Sequence, residues 1–490
     1  MMYCYMRKCM IYNVYLIVLL SLFSCASEID KSDFSDRKID EKYRFIYDAV
    51  KEGPEFEYFK YEVTDWRSIV SKHPFDTPKI PALGWKVMGP FISLYHAYRL
   101  TNDSYFSDLL GEMTEELVKS RDDIRSVVSW NGKIYPLWAS GRRSHNAYFE
   151  IKDIYGKVCA IVDFHGSGFD DTYVSLKPHG EEFDFLIENN NQKYELLNVS
   201  LTSFENALND IDWTVYVSPL PGNKVLSVRI FDENNIYLKD EKHTPLSSYY
   251  VPHLANNAII INLLINYYNI NPSANKKYEK IITESIDELL TLFLCDLSDN
   301  MCCFNSPLNS PCFYGGGAVL PFNEQFVFCE TLARWYAATG NKMYLDILKK
   351  WRNYFMSCLI PLKDGYVWKY WEDPSGTVNW METENYGAID IPALMVIKYN
   401  TNIFSNDDIR FIISALSKYL VKIDSENVFT ATGFSFERYR NGLPNIAYLT
   451  LKEFWPGIKD VFAMEDILIS HNWMECVDYM FFSENSLEKY

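Results

Sequence analysis

Residues 98–110 read YRLTNDSYFSDLL, and residues 336–348 read YAATGNKMYLDIL. The two stretches share a Tyr, a Thr, an aromatic residue, an Asp and two aliphatic residues at matching positions. In each stretch, polar turn residues separate an apolar run from a segment with aromatic and aliphatic residues at helical spacing. Each copy is therefore predicted to form a helical hairpin. A hairpin that recurs in one chain must bury its apolar face against further hairpins.

The pattern of elements changes twice along the chain. Residues 126–250 favour strands, because short β-branched and aromatic runs alternate there with turn clusters such as Asn189-Asn190-Asn191. Helical periodicity precedes this segment and returns after it. We therefore predict the first hairpins in residues 41–125, a β-rich insertion in residues 126–250 and the remaining hairpins in residues 251–490. Hairpins at such intervals suggest a curved or closed array.

The first 24 residues have the order of an export signal. Arg7 and Lys8 precede an apolar run from Ile11 to Phe23, and Cys25 follows. This ending resembles the lipobox of bacterial lipoproteins, in which the cysteine is lipidated. The alternatives are a plain secretory signal or a short membrane anchor, although the run is shorter than the roughly 20 residues of a spanning helix. We expect an exported chain, anchored by lipid at Cys25 to the periplasmic face or the cell surface, with a disordered tether over residues 25–40.

Charge and composition narrow the partners. The net charge of −18 disfavours nucleic acid, which needs clustered Lys and Arg. Aromatic residues make up 16% of the chain, and Tyr and Trp side chains stack on pyranose rings, although a large aromatic core is the alternative. The cysteines after Cys25 fit neither zinc spacing nor a dense disulfide framework. We expect a polysaccharide or oligosaccharide partner, no metal, no cofactor and membrane contact only through the lipid anchor.

Three segments carry a family resemblance: LPFNEQ at residues 320–325 before the second repeat, GYVWKYW at residues 365–371, and ETENYGAIDI at residues 382–391. They resemble segments of the (α/α)-toroid carbohydrate-active enzymes, which include polysaccharide lyases, unsaturated glucuronyl hydrolases and sugar epimerases. The resemblance covers roughly residues 40–125 and 250–480. It implies a mainly α fold, an (α/α) toroid formed as an incomplete barrel of helical hairpins, here with a β-rich insertion.

Two positions depart from the family pattern. Thr383 stands in place of an Asp, and Tyr386 in place of a His. Without the His, a reaction that uses it as the base is not expected. Without the Asp, a simple hydrolysis by a pair of acids is less favoured. Tyr386 could instead serve as a phenolic acid or base, as in toroid lyases that act by β-elimination.

β-Elimination on a uronate needs neutralisation of the sugar carboxylate, a base for the C5 proton and an acid for the leaving oxygen. Two clusters supply such groups. Arg142, Arg143, His145 and Asn146 follow a Trp-containing stretch, although a solvated basic loop is the alternative. His253, Asn256 and Asn257 open a predicted inner helix, where capping or core roles are the alternative. We expect His145 or His253 as the base, and Asn256, Asn257 or Arg143 as the carboxylate clamp.

A second set of residues fits hydrolysis. Asn323 and Glu324 begin another predicted inner helix, and Glu382 and Glu384 precede Tyr386. Glu324 could be an acid, although the helix dipole favours a carboxylate there without any function. Glu382 and Glu384 could perturb each other's pKa if buried, or simply bond to nearby loops. Further substrate-binding candidates are an aromatic platform and a late-loop arginine, namely Trp368, Tyr370, Trp371 and Arg438.

The sequence therefore predicts an enzyme that degrades a polysaccharide, preferably a lyase that cleaves a uronate-containing glycan by β-elimination. One alternative is a glycoside hydrolase with Glu324 and Glu382 or Glu384 as paired carboxylates. The other is a surface lipoprotein that binds glycans without catalysis.

Overall fold

The computed structural model describes residues 83–463 and Phe481, except for residues 141–146, 165–171, 190–191, 210–225, 234, 236, 272–274, 312–315, 373–380, 425–426 and 442–443. All the described residues lie in the larger of two compact units, Trp66–Tyr490. None of the helices in this part is long and apolar enough to cross a membrane.

Eight of the helices form four consecutive pairs. The helices in chain order are α1 (Leu83–Thr101), α2 (Ser104–Lys119), α3 (Asp122–Arg125), α4 (Leu201–Asn209), α5 (Leu254–Ile270), α6 (Asn275–Phe293), α7 (Phe322–Thr339), α8 (Lys342–Ser357), α9 (Glu384–Thr401), α10 (Asn406–Tyr419) and α11 (Ile458–Ala463), with a 3-10 helix at Ile446–Leu451 before α11. The pairs are α1 with α2, α5 with α6, α7 with α8, and α9 with α10.

The first helices of the four pairs pack on one another in chain order: α1 on α5, α5 on α7, and α7 on α9. Every residue from Leu254 to Asn266 of α5 is buried, as expected of a helix covered on all sides. The second helices are amphipathic. In α8, Tyr344, Leu348, Trp351 and Phe355 form a buried stripe that packs towards α7. The four pairs thus form an inner row and an outer row of helices.

The turn predicted from the sequence repeat has the same geometry in both copies. Asn102 and Gly340 end α1 and α7 in the left-handed conformation, with φ of 54° and 71°. The next residue caps the following helix: Asp103 accepts from the Tyr105 amide, and Asn341 from the Met343 amide. The α9–α10 connection also has a left-handed residue, Asn402, but it is longer, because two residues separate Asn402 from Ser405, which begins α10 with a capping box.

The strands in chain order are β1 (Ala139–Ser140), β2 (Ala147–Lys152), β3 (Val158–Phe164), β4 (Tyr173–His179), β5 (Glu182–Asn189), β6 (Gln192–Val199), β7 (Leu226–Ile230), β8 (Glu241–Pro245), β9 (Ser247–Ser248), β10 (Val251–Pro252), β11 (Leu294–Ser298), β12 (Met301–Phe304), β13 (Ile360–Leu362), β14 (Gly365–Val367), β15 (Val421–Asp424), β16 (Asn427–Ala431) and β17 (Tyr439–Asn441). Two four-stranded antiparallel sheets have the orders β7-β3-β2-β9 and β6-β5-β4-β8. The two sheets, together called the sandwich below, share one apolar core with α4. In this core Phe149 of β2 meets Phe185 of β5, and Phe204 of α4 packs edge-on against Phe185. These sheets lie within the segment predicted to be β-rich, whose boundaries stay a prediction.

The predicted fold class, a mainly α toroid, is wrong. Helix accounts for 49% and strand for 26% of the described residues, with several antiparallel sheets. Part of the strand content lies outside the predicted insertion. A hairpin follows α6 (β11–β12), another follows α8 (β13–β14), and a three-stranded sheet (β15–β17) follows α10. Helical periodicity in the neighbouring segments masked these short strands, which are too short for a clear period-two pattern.

Candidate functional site

His253 lies immediately before α5 and caps it. Its Nδ1 accepts a hydrogen bond of 3.3 Å from the Asn256 amide. Because Nδ1 is an acceptor, the ring proton of the neutral imidazole is on Nε2. The short β1–β10 pair, with Ala139 opposite Pro252, fixes the chain at the entry to this helix. The capping contact therefore determines which ring nitrogen points away from α5.

Glu324 meets that second nitrogen. It lies in the first turn of α7, and its Oε1 is 3.5 Å from His253 Nε2. The exposed fractions of the two side chains are 5% for Glu324 and 16% for His253. Next to them, Asn323 is also buried, and its Oδ1 has no hydrogen-bond partner. The packing of α5 on α7 thus brings the predicted catalytic residues His253 and Glu324 together. Asn323, the neighbour of Glu324 in sequence, has a side-chain oxygen that accepts no hydrogen bond.

Tyr386 is linked to the same helix start through Tyr370. The backbone amide of Phe322, the first residue of α7, donates to the Tyr370 carbonyl at 3.0 Å. The Tyr370 ring stacks on the Tyr386 ring with centroids 5.0 Å apart. Tyr386 is 41% exposed, so part of the residue is open to solvent. The starts of α5, α7 and α9 therefore present an imidazole, a carboxylate and a phenol on neighbouring elements.

Asn256 and Asn257, by contrast, are used within the fold. Both are fully buried. The Asn256 side chain accepts from the Gly84 amide at 2.6 Å and donates to the Trp138 carbonyl. The Asn257 side chain accepts from the Trp138 amide at 2.8 Å and donates to the carbonyls of Trp138 and His253. Their amides hold α1 and the chain before β1 against α5, so neither is retained as a clamp for a substrate carboxylate.

Glu382 forms a buried carboxyl pair with Asp390, a residue that the sequence did not single out. Both are 0% exposed, and their side chains share a hydrogen bond. Trp368 donates to Asp390 Oδ2 at 2.9 Å, and the Thr383 amide donates to Glu382 Oε1 at 2.8 Å. Burial raises the pKa of Glu382 to about 7 and raises that of Asp390, which the charge of Glu382 raises further.

One proton explains the remaining atoms of this pair. Glu382 Oε2 and Asp390 Oδ1 have no other hydrogen-bond partner. A proton held by one carboxyl and shared with the other satisfies both atoms and avoids two adjacent buried charges. The pair therefore carries one negative charge instead of two and is a buried element of the core.

Glu384 is the third carboxylate in this region and is also engaged. It is buried, accepts from the Asn445 amide at 2.7 Å and pairs with Arg440 at 3.1 Å. Buried Tyr448 donates to the Glu384 carbonyl. Glu384 thus fastens β17 and the chain before the 3-10 helix to the start of α9. Glu384 therefore stabilises the fold. Among the contacts of the described residues, none joins its carboxylate to Glu324.

The remaining candidates are dispersed. Trp368 and Trp371 are buried, with exposed fractions of 0% and 3%, so a three-ring stacking platform is not formed and Tyr370 alone pairs with Tyr386. Arg438 is exposed in the turn between β16 and β17. Several predicted residues lie outside the described residues, namely Arg142, Arg143, His145, Asn146 and the predicted lipidation site Cys25.

A cavity of about 340 Å³ lies at the other end of the inner helices. It is lined by residues near the C-terminal ends of α1, α5, α7 and α9: Tyr95, Arg99, Asn269, Arg334, Ala337, Ala338 and Asn400. Arg99 donates to the Tyr95 hydroxyl, and Arg334 pairs with Glu330 and bonds to Asn266. None of the predicted catalytic residues that the structure describes lines it. We place the candidate site at the N-terminal ends because His253 and Glu324 are in contact there and Tyr386 lies in the first turn of the adjacent helix α9.

Among the described residues, no group of three or more His, Cys, Asp or Glu side chains could hold a metal ion. Neither a protein-family model nor a curated protein matches the sequence. The resemblance to carbohydrate-active enzymes therefore stays a prediction.

Proposed function

We propose that this protein cleaves a uronate-containing glycan by β-elimination at the N-terminal ends of α5, α7 and α9. The observation that carries the proposal is the contact between His253 Nε2 and Glu324 Oε1, on helices whose starts also position the exposed Tyr386. A proton acceptor and a proton donor on neighbouring elements are the minimum that this reaction requires.

The contacts favour Glu324 as the proton acceptor. Both ring nitrogens of His253 are engaged, Nδ1 by the Asn256 amide and Nε2 by Glu324. His253 is therefore best suited to orient the carboxylate by donating from Nε2, in the manner of a residue that fixes its partner's geometry. This reverses the predicted order, in which the imidazole was the base. Glu324 would take the C5 proton of the uronate.

Tyr386 supplies the acid in this scheme. Its phenol would donate a proton to the glycosidic oxygen as the C4–O bond breaks, leaving a C4–C5 double bond in the product. The stacked Tyr370 ring holds the phenol in place. The amide of Asn323, with its unsatisfied oxygen, is the group that could bond to a protonated sugar carboxyl. Aromatic surface beside the phenol suits the apolar face of a pyranose ring.

Hydrolysis by paired carboxylates receives less support. Glu382 shares a proton with Asp390 in the core, and Glu384 is bound to Arg440 and the Asn445 amide. Of the three carboxylates predicted for the two-carboxylate mechanism, the contacts of the described residues thus leave Glu324 as the remaining candidate.

A second candidate function is glycan binding without catalysis. The low exposure of Glu324 and His253 favours it, because a substrate atom must reach the carboxylate for chemistry to occur. In that case the Tyr370–Tyr386 pair would provide a stacking surface alone.

The test is incubation of the purified protein with pectate, alginate, hyaluronan and chondroitin, followed by ultraviolet absorbance of the unsaturated uronate and by assay of reducing ends. β-Elimination predicts that both rise together. Glu324→Gln should lower kcat by about 10²–10⁴-fold. His253→Asn keeps an N-cap acceptor for α5 but loses the contact with Glu324, so kcat should fall while the fold is retained. Reducing ends without absorbance would indicate hydrolysis, and binding with neither signal would indicate a glycan-binding protein.

A further inference from the structure

Five cysteine thiols gather around β11, β12 and the adjoining parts of α7 and α8. They are Cys295, Cys302, Cys303, Cys329 and Cys358, all of them reduced in the structure. Burial raises the pKa of the Cys303 thiol, with neighbouring thiols Cys295, Cys302 and Cys358 adding to the effect. The cluster does not have the geometry of a metal site. Its chemistry is therefore that of thiols close to one another.

Cys295 and Cys303 are directly opposite in the β11–β12 hairpin. Opposite residues of antiparallel strands have Cα atoms about 4.5–5.5 Å apart. A disulfide accepts Cα separations of about 4.4–6.8 Å, so the backbone needs no large movement to form one. The two side chains already share a hydrogen bond, which places sulfur beside sulfur.

We propose that Cys295 and Cys303 are a redox-modification site, at which a small-molecule disulfide oxidises the two thiols to a cross-strand disulfide. This inference is independent of the proposed function. It rests on the strand register and on the thiol–thiol contact.

The reaction proceeds by two exchange steps. Cys295 is partly accessible, whereas Cys303 is fully buried, so the Cys295 thiolate attacks the oxidant first. One sulfur of the oxidant bonds to Cys295, and the other leaves as a thiol. Cys303 then loses its proton and attacks the Cys295 sulfur, which releases the second thiol. The protein loses two hydrogen atoms, and one disulfide oxidant becomes two thiols.

Oxidation would change a contact near the candidate site. The Cys303 thiol donates to Asn305 Oδ1 at 3.1 Å, and the Asn305 amide donates to the Gly317 carbonyl. The backbone amide of Phe304, the residue after Cys303, donates a hydrogen bond to the Gln325 side chain in the first turn of α7. A disulfide removes the thiol donor, so the hydrogen bond from Cys303 to Asn305 is lost. This bond belongs to the group of hydrogen bonds that lies between the β11–β12 hairpin and the start of α7.

Cyanogen bromide gives a direct test, because Met301 lies between the two cysteines. Cleavage after methionine yields fragments 114–301 and 302–343, which contain Cys295 and Cys303 respectively. The folded protein is treated with oxidised glutathione, its remaining thiols are blocked, and it is then cleaved in acid. We expect the two fragments to migrate together without reductant and to separate when reductant is added.

Variants assign the link. Cys295→Ser and Cys303→Ser should each abolish the joined fragments. Cys302→Ser is the matched control, because Cys302 lies opposite Asp296 and its thiol contacts the Ile347 carbonyl. Cys159→Ser, in the core of the sandwich and on fragment 114–301, is a second control. Both controls should retain the link. Separate fragments from the oxidised wild type, or joined fragments from either Cys295→Ser or Cys303→Ser, would overturn the proposal.

Discussion

The buried pair of Glu382 and Asp390 makes the stability of the protein depend on pH, and Glu382→Gln should remove most of that dependence. Burial raises the pKa of Glu382 from 4.5 to about 7 in the folded state. The folded protein therefore holds a proton at pH values at which the unfolded chain has lost it. The stabilisation is fully present below about pH 4.5 and is lost as the pH rises through about 7.

The size of the effect follows from the two pKa values. Each pKa unit corresponds to about 1.4 kcal/mol, so the separation between 4.5 and about 7 is equivalent to about 3 kcal/mol. About 2.5 kcal/mol of this falls between pH 5 and pH 8 by linkage. Burial and the neighbouring Glu382 also raise the pKa of Asp390 well above its usual value. Gln at position 382 is nearly isosteric and carries no charge at either pH.

The assay is urea unfolding of the wild type and Glu382→Gln at pH 5 and pH 8, with Glu181→Gln as the control. Glu181 is exposed in the β4–β5 turn, so its replacement should not alter the pH dependence. We expect the stability of Glu382→Gln, relative to the wild type, to rise by about 2–3 kcal/mol from pH 5 to pH 8. If the difference in unfolding free energy between Glu382→Gln and the wild type were the same at pH 5 and pH 8, the fold would not be holding Glu382 in its protonated form.

Three further substitutions test other parts of the structure. Gly365→Ala should lower the free energy of unfolding by about 2 kcal/mol or more, because the new Cβ would collide with a serine oxygen of α10. The control is Gly180→Ala, where the added Cβ meets nothing within 4 Å, so the substitution should cost about 1 kcal/mol by backbone strain alone. Asn257→Ala should cost about 2 kcal/mol in urea unfolding, because it leaves the buried Trp138 amide unpaired while Asn256 still donates to the Trp138 carbonyl, whereas Asn269→Ala, at an exposed position of the same helix, should stay within about 0.5 kcal/mol. Gly340→Ala should lower the thermal midpoint more than Gly340→Asn, because Asn tolerates the left-handed φ of 71° better than Ala.

The sequence predicted the turn geometry well, and the reason is local. A Thr, a residue that tolerates positive φ and a capping side chain are sufficient to end one helix and start the next. The structure has this arrangement around Asn102 and Gly340, where the repeat was found, and again at Asn402. At Asn402 the connection to the cap, Ser405, is two residues longer, so its sequence does not match the first two.

The fold class was wrong for a different reason. The short strands β11–β17 occupy three to five residues each between strongly periodic helices, and their pairing partners are set by tertiary structure. A helical reading of the chain cannot detect them. The segment predicted to be β-rich contained long alternating runs, such as residues 182–189 and 192–199, which carry their own signal.

Prediction of the candidate site was limited by burial. Sequence position placed His253 and Glu324 at the starts of inner helices, and the structure has them there. Sequence could not reveal that Asn257 would be consumed by the backbone of Trp138, or that Glu384 would pair with Arg440. Those partners are 119 and 56 residues away along the chain, so only the folded arrangement identifies them.

We propose that Tyr386, on the helix that packs on α7 of Glu324, transfers a proton to the leaving sugar. The most direct measurement compares the wild type, Tyr386→Phe and Tyr155→Phe for the appearance of unsaturated uronate on one active glycan. Tyr155 is 83% exposed in the β2–β3 turn of the sandwich and is a matched control. We expect kcat to fall by about 10²-fold or more in Tyr386→Phe alone. Equal rates for all three proteins, or cleavage that yields no unsaturated product, would contradict it.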